Sequence, residues 1–263
     1  MNVVALFSLV SREWRRFYRT RSRIIGSIAS PLVLWLILGL GLDTAFPQMQ
    51  SIGSGRKFLE YFFPGSVVLT VLFTSIFANI SVIEDRREGF LQSVIVAPLG
   101  KGVLAGSKIL GGSLLGCFQG LLFLSLAPMA HLSLNPLSFI MSLTAIFVLS
   151  LSLTSLGFIF AWWMDSVQGF HGIMNLLLFP MWLVSSAFFP LESSPIWLQW
   201  VIQINPVSYG VMALQHAFYP LGHAALHGNP TYIVCIGILS LFSFAFFSVS
   251  LWVLTIPSLR KSV

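Results

Sequence analysis

Long apolar runs separated by short polar connections dominate this chain. Residues 24–42, 61–83, 103–127, 136–163, 170–190 and 231–256 are almost continuously apolar. Each is close to the roughly 20 residues that a helix needs to cross a hydrocarbon layer. The runs do not alternate polar with apolar positions. They therefore predict helices and not barrel strands, since lipid offers no partner to backbone groups left open. Ahead of them, Val3, Phe7, Val10, Trp14 and Phe17 recur at spacings of four, three, four and three, with Arg12, Arg15, Arg16 and Arg19 on the opposite face. This pattern predicts a basic amphipathic helix within residues 1–23, lying in the membrane interface. A plain retention signal made of arginines is the alternative. Residues 191–230 do not fit a span, because Pro195, Pro206, Pro220 and Pro230 break them while Trp197, Trp200 and several Ile and Val keep them apolar. Short re-entrant helices that dip into the outer interface are expected there, with Trp197, Trp200 and Tyr209 as anchors.

Composition narrows the class further. Of the 263 residues, 56% are hydrophobic and only 8% charged, and mean hydropathy is +0.89. A soluble domain carries about a quarter charged residues to cover its surface. The expectation is therefore an all-α, polytopic membrane protein with six transmembrane helices, forming a single transmembrane domain over 1–263. No length is left for a separate catalytic domain.

The net charge of +6 changes the picture through its placement. In a six-span arrangement with both ends on one side, twelve Lys and Arg fall on that side and only Arg56 and Lys57 on the other. The positive-inside rule then puts both termini and the connection between spans two and three in the cytoplasm. The same placement accounts for the basic balance without nucleic acid. Cys117 and Cys235 sit inside apolar runs and form no disulfide framework.

The densest charge is Glu84-Asp85-Arg86-Arg87-Glu88, followed by Phe90, Leu91, Val94 and Ile95 at helical spacing before Pro98. A membrane-end cap would need only a lysine or two, so the mixed signs and the apolar patch read as a docking surface for a cytoplasmic partner. Gly112, Gly116 and Gly120 strip one face of span three, which suits close helix packing within the chain or a dimer contact. The uncharged Asn79, Gln119 and Asn175 are the polar groups expected deep in the spans, which disfavours ion coupling. His223 and His227, with His216, suggest a metal only weakly, since no carboxylate or thiol stands near them; no metal site is expected. Gly100-Lys101-Gly102 resembles a phosphate loop but has Ile95 where the first glycine belongs and Gly102 where Ser or Thr would hold magnesium.

Taken in order, Tyr61-Phe62-Phe63-Pro64-Gly65, the charged run through Gly89-Phe90-Leu91, Val96-Ala97-Pro98-Leu99 and Asn205-Pro206-Val207-Ser208-Tyr209 resemble the permease subunits of type-2 ABC exporters. The resemblance covers nearly the whole chain. It implies a half-transporter that forms a homodimer or heterodimer of permeases in the plasma membrane, of bacterial inner-membrane type. It implies a separate ATP-binding cassette subunit that carries ATP and magnesium, with no cofactor and no ATPase site in this chain. By the same resemblance, Trp14, Arg15, Glu84, Asp85, Arg86, Arg87, Glu88, Phe90, Leu91, Val94 and Pro98 meet the ATP-binding subunit. The outer re-entrant segment holds Trp197, Trp200, Asn205, Pro206 and Tyr209. The expected cargo is a hydrophobic or amphiphilic molecule such as a drug, lipid or glycolipid. The rivals are an integral-membrane enzyme acting on lipids and a noncatalytic membrane assembly factor.

Overall fold

A backbone in lipid must satisfy its own N–H and C=O groups, and the helix does so within one segment. The computed structural model describes residues 2–19, 21–45, 58–90, 100–189, 191, 194–219 and 228–255, and among these the regular structure is helical. In chain order the helices are α1 (Asn2–Arg19), α2 (Arg21–Ala45), α3 (Phe58–Phe77), α4 (Ile80–Arg87), α5 (Lys101–Leu124), α6 (Pro136–Trp163), α7 (Val167–Leu183), α8 (Ile196–Ile204), α9 (Pro206–Phe218) and α10 (Tyr232–Val253). A 3₁₀ turn at Ala127–Ala130 follows α5.

Among the described residues, four segments are long and apolar enough to cross a membrane: Phe58–Arg87, Gly102–Leu124, Pro136–Trp163 and Tyr232–Val253. Of the other two expected spans, residues 24–42 fall within the 25-residue α2, whereas α7 has 17 residues and stops at Leu183. Local chemistry accounts for the shorter α7. Pro180 removes a donor inside α7. Ser185 then turns its hydroxyl back onto the carbonyl of Trp182 at 2.6 Å and accepts from the Ala187 amide at 3.2 Å, so the chain leaves the helix.

The axis of the bundle is α3, buried almost continuously from Phe62 to Leu72 and packed by α2, α5, α6 and α9. Two of its hydroxyls bond within their own helix. Ser66 donates to the Phe62 carbonyl and Thr70 to that of Ser66, at 3.1 and 3.0 Å. The glycine stripe of α5 faces this axis and α6. A Cβ on Gly120 would meet Val71 at 2.7 Å and Ile146 at 2.9 Å, one on Gly112 would meet Thr154 at 2.7 Å, and one on Gly116 would collide with the hydroxyls of Ser75 and Ser150. Those two hydroxyls lie 2.7 Å apart. Small residues thus let three backbones approach closely enough for side-chain hydrogen bonds between them.

Between α3 and α4 the helix breaks at Ala78 and Asn79. The Asn79 amide group bridges the break, donating to the carbonyls of Ser75, Ile76 and Thr154 at 3.1–3.2 Å. The axis is thereby tied to α6 at its one discontinuity.

Candidate functional site

The two ends of the bundle differ in chemistry. At one end α1, α4 and α5 bring their charges together. Lys108, two turns into α5, is 6% exposed, Glu13 of α1 is 7% exposed, and Asp85 of α4 has no exposed surface. The Lys108 ammonium donates to Glu13 Oε1 at 2.6 Å, to Ser81 Oγ at 3.2 Å and to Asp85 Oδ2. Arg12 grips Asp85 with both Nη atoms, at 3.0 and 2.8 Å, and Arg16 adds a third guanidinium bond at 2.7 Å. Arg16 also reaches Glu84 at 3.0 Å and Glu88 at 3.4 Å. The hydrogen bonds that it donates to Asp85 hold the Arg12 guanidinium above its ordinary range, against the opposing pull of desolvation. The outer side of Arg12 stacks on the Phe90 ring at 3.6 Å.

Arg86 and Arg87 point elsewhere. Arg86 donates to the carbonyls of Met164, at 3.2 Å, and Trp162, and Arg87 donates twice to that of Asp165, at 2.9 and 3.2 Å. Trp162 lies in the last turn of α6 and Met164 and Asp165 follow it directly; carbonyls at a helix C-terminus have no intrahelical donors, and a cation is favoured at that pole. The two arginines therefore join α4 to α6.

The structure thus brings Glu84, Asp85, Glu88 and Phe90 against α1, and ties Arg86 and Arg87 to α6. Trp14 is half-buried and packs edge-on against Phe118 of α5 with ring centres 5.7 Å apart, while Arg15 is exposed and bonds to Ser11. Leu91, Val94 and Pro98 lie outside the described residues, as do His223 and His227. His216 lies 2.8 Å from the Pro230 carbonyl.

The reading of α1 as one apolar and one basic face is corrected here. Its buried face is Val10, Glu13 and Phe17, Val3 and Phe7 are exposed, and Arg12 and Arg16 turn inward to carboxylates. Lys108 is buried inside the apolar segment Gly102–Leu124, about two turns from its start. Both signals were in the sequence. Glu13 is the sole acid among the first 42 residues and sits three after Val10 and four before Phe17, on the apolar stripe, and Lys108 is a lone cation within an apolar run.

A cleft of about 340 Å³ lies between α1, α2, α3, the start of α4 and α7. Phe17, Pro31, Phe73, Phe77 and Ile80 supply apolar walls, and Ser30, Thr74, His171 and Asn175 supply polar groups. The His171 ring lies 4.7 Å from that of Phe77. Elsewhere on α7, Ile173, Leu176 and Phe179 are exposed.

The opposite end is held by neutral groups. Trp35 donates to the Leu59 carbonyl at 3.1 Å, Trp182 to that of Gly65 at 2.9 Å, and Tyr219 to that of Glu60 at 3.1 Å. Asn205 separates α8 from α9. Its Oδ1 accepts from the Val207 amide at 3.0 Å, capping α9 with Pro206 in the first turn, and its Nδ2 donates to the Met181 carbonyl. Tyr209 closes the corner by donating to the Gln203 carbonyl at 2.7 Å. Ile196, Trp197, Trp200 and Ile204 leave α8 with an exposed apolar face, whereas α9 is buried along nearly its whole length.

Residues 4–219 match the sequence profile of the ABC-2 type transporter family. The chain belongs to that family. Among its relatives is a putative transport permease, ycf38, of Cyanophora paradoxa, 29% identical over 216 residues that cover 81% of this chain and 73% of the relative. The inner membrane transport permease YadH of Escherichia coli K12 is 23% identical over 252 residues, covering 93% and 92%. Nodulation protein J of Rhizobium meliloti is 26% identical over 229 residues, covering 81% and 83%. Membership in the ABC-2 family makes the chain a membrane transport permease. Both the charged cluster and the cleft fall within the matched region.

Proposed function

We propose that this ABC-2 permease is one half of an exporter, working as a homodimer or heterodimer with a separate ATP-binding subunit, and that it moves an amphiphilic, lipid-like molecule across a bacterial inner membrane. The observation that carries this reading is the cleft. Aromatic and aliphatic walls with a few hydroxyl, imidazole and amide groups suit a molecule with an apolar body and a polar head. In this reading both termini and the end bearing Lys108 and Asp85 face the cytoplasm, in keeping with the Lys and Arg distribution. The ATP-binding subunit engages Arg15, Glu88 and the segment after Phe90, and it supplies the ATP and magnesium chemistry. At the outer end, α8 and α9 form a re-entrant pair, with Trp197 and Trp200 in lipid and α9 closing the core.

Affinity-tagged chain is co-purified with its ATP-binding partner and reconstituted in vesicles containing NBD-labelled phosphatidylethanolamine, whose exposure is read by dithionite quenching. ATP is expected to raise label movement at least fivefold over an ATP-free control. Phe77→Ala, which opens the cleft wall, should change the half-saturating lipid fraction and leave complex assembly intact. An assembled, ATP-hydrolysing complex that moves neither lipid nor any amphiphilic dye would overturn the reading.

A further inference from the structure

The charged cluster has a property that a simple salt bridge lacks: its two most buried ions are saturated. An ammonium has three N–H donors, and Lys108 finds three acceptors, Glu13 from α1 and Ser81 and Asp85 from α4. A carboxylate offers about four lone-pair sites. Asp85 fills them with two bonds from Arg12, one from Arg16 and one from Lys108. Asp85 therefore has no lone pair left for an outside donor.

Burying this many charges is expensive, and an apolar replacement of similar volume often gives equal stability. Ions differ from an apolar patch in their response to displacement. Sliding one apolar surface over another loses contact gradually, whereas parting α1 from α5 strips Lys108 or Glu13 of its partner in a medium of low dielectric. The contact is consequently stiff.

We infer that Lys108 is a positioning residue, which clamps α1 and α4 to the first turns of α5 so that the three shift as one body. The route from this body to the cleft is short. α4 continues from α3 across the break at Ala78 and Asn79, and the last turns of α3 present Phe73, Thr74 and Phe77 to the cleft. Arg86 and Arg87 tie the same α4 to the end of α6, which gives the displacement a pivot. The clamp is independent of the proposed export function; its consequence for coupling rests on that reading.

The test uses the full chain with Cys117→Ala and Cys235→Ala, spin-labelled at Ser8→Cys on α1 and Ser125→Cys just past α5, both exposed positions. Pulsed electron resonance in nanodiscs reads the distance between α1 and α5 and needs no partner. Unsubstituted Lys108 is expected to give one narrow distribution. Lys108→Met keeps the length and removes the charge, and should broaden or displace that distribution. In the reconstituted complex it should lower NBD-lipid moved per ATP at least tenfold, with basal ATP hydrolysis within twofold.

A narrow, unchanged distribution in Lys108→Met overturns the clamp. A displaced distribution with an unchanged ratio of lipid to ATP overturns the positioning role. Where Lys108→Met does not accumulate in the membrane, Glu13→Met removes only the α1 acceptor while Lys108 keeps Asp85 and Ser81, and an unchanged distribution there has the same force. Should no ATP-binding subunit assemble with the unsubstituted chain, the export reading fails while the distances still decide the clamp.

Discussion

The two ends of this bundle solve one problem, how to fasten a short peripheral helix to a core, by opposite means. At the charged end α1 is fastened by ions, with Asp85 and Lys108 nearly sealed from solvent and three guanidinium bonds on one carboxylate. At the aromatic end α8 and α9 are fastened by amides, hydroxyls and indoles that donate to backbone carbonyls, as Asn205 does to Met181 and Tyr209 to Gln203. Neutral hydrogen bonds to carbonyls are lost one at a time, at about 0.5–1.5 kcal/mol each. A buried network of ions fails together, because each lost partner leaves an uncompensated charge. The charged end is thus suited to transmitting a displacement and the aromatic end to settling into a surrounding of mixed polarity.

The largest expected effect breaks the first half of this contrast. Asp85→Ala leaves Arg12, Arg16 and Lys108 facing one another around an empty site. Removing one partner from such a cluster costs about 3–5 kcal/mol, so thermal unfolding in detergent should drop by many degrees or the protein should fail to accumulate. A melting curve like that of the unsubstituted chain would show the cluster to be solvated. A smaller effect sharpens the second half. Asn205→Ala removes a helix cap and one bond to Met181, for about 1–2 kcal/mol in total. Hydrogen exchange should quicken at the first amides of α9 and stay unchanged in α1; faster exchange in α1 would show that the two ends are not independent. The smallest effect concerns Trp200, which is 64% exposed. Trp200→Ala should alter detergent stability by less than about 0.5 kcal/mol yet reduce quenching of tryptophan fluorescence by brominated lipid, if the exposed face of α8 meets the membrane.

Much of the fold was legible because lipid imposes a simple rule on sequence. The runs at 103–127, 136–163 and 231–256 are uniform over a span's length, and the helices found there lie within a few residues of those limits. The run at 61–83 became the longer segment Phe58–Arg87, since charges at Glu84 to Arg87 do not end a helix whose charges have partners in α1 and α6. The end of α7 was misread for a complementary reason. Residues 184–189 are apolar enough for a span, but hydropathy is blind to a serine that competes for backbone groups. The break between α8 and α9 was announced by Asn205-Pro206, whose chemistry is local.

The charged cluster shows where reading along the chain stops. Local spacing divided α1 into an apolar and a basic face, and it marked Glu84 to Glu88 as a mixed-charge connection. Periodicity concerns a single element and says nothing of which element lies across from it. Arg12 pairs with a residue 73 positions away and Lys108 with one 95 positions away. Such pairs depend on the packing of α3, α5 and α6 through Gly112, Gly116 and Gly120, a close approach that sets the level at which Lys108 meets α1 and α4. Hydrophobic run length, charge asymmetry and the order of short motifs sufficed to establish helices, a membrane and a family. Which of the charges would be surface and which a sealed clamp was decided by tertiary structure, since an ion's burial depends on partners that only the folded chain can bring to it.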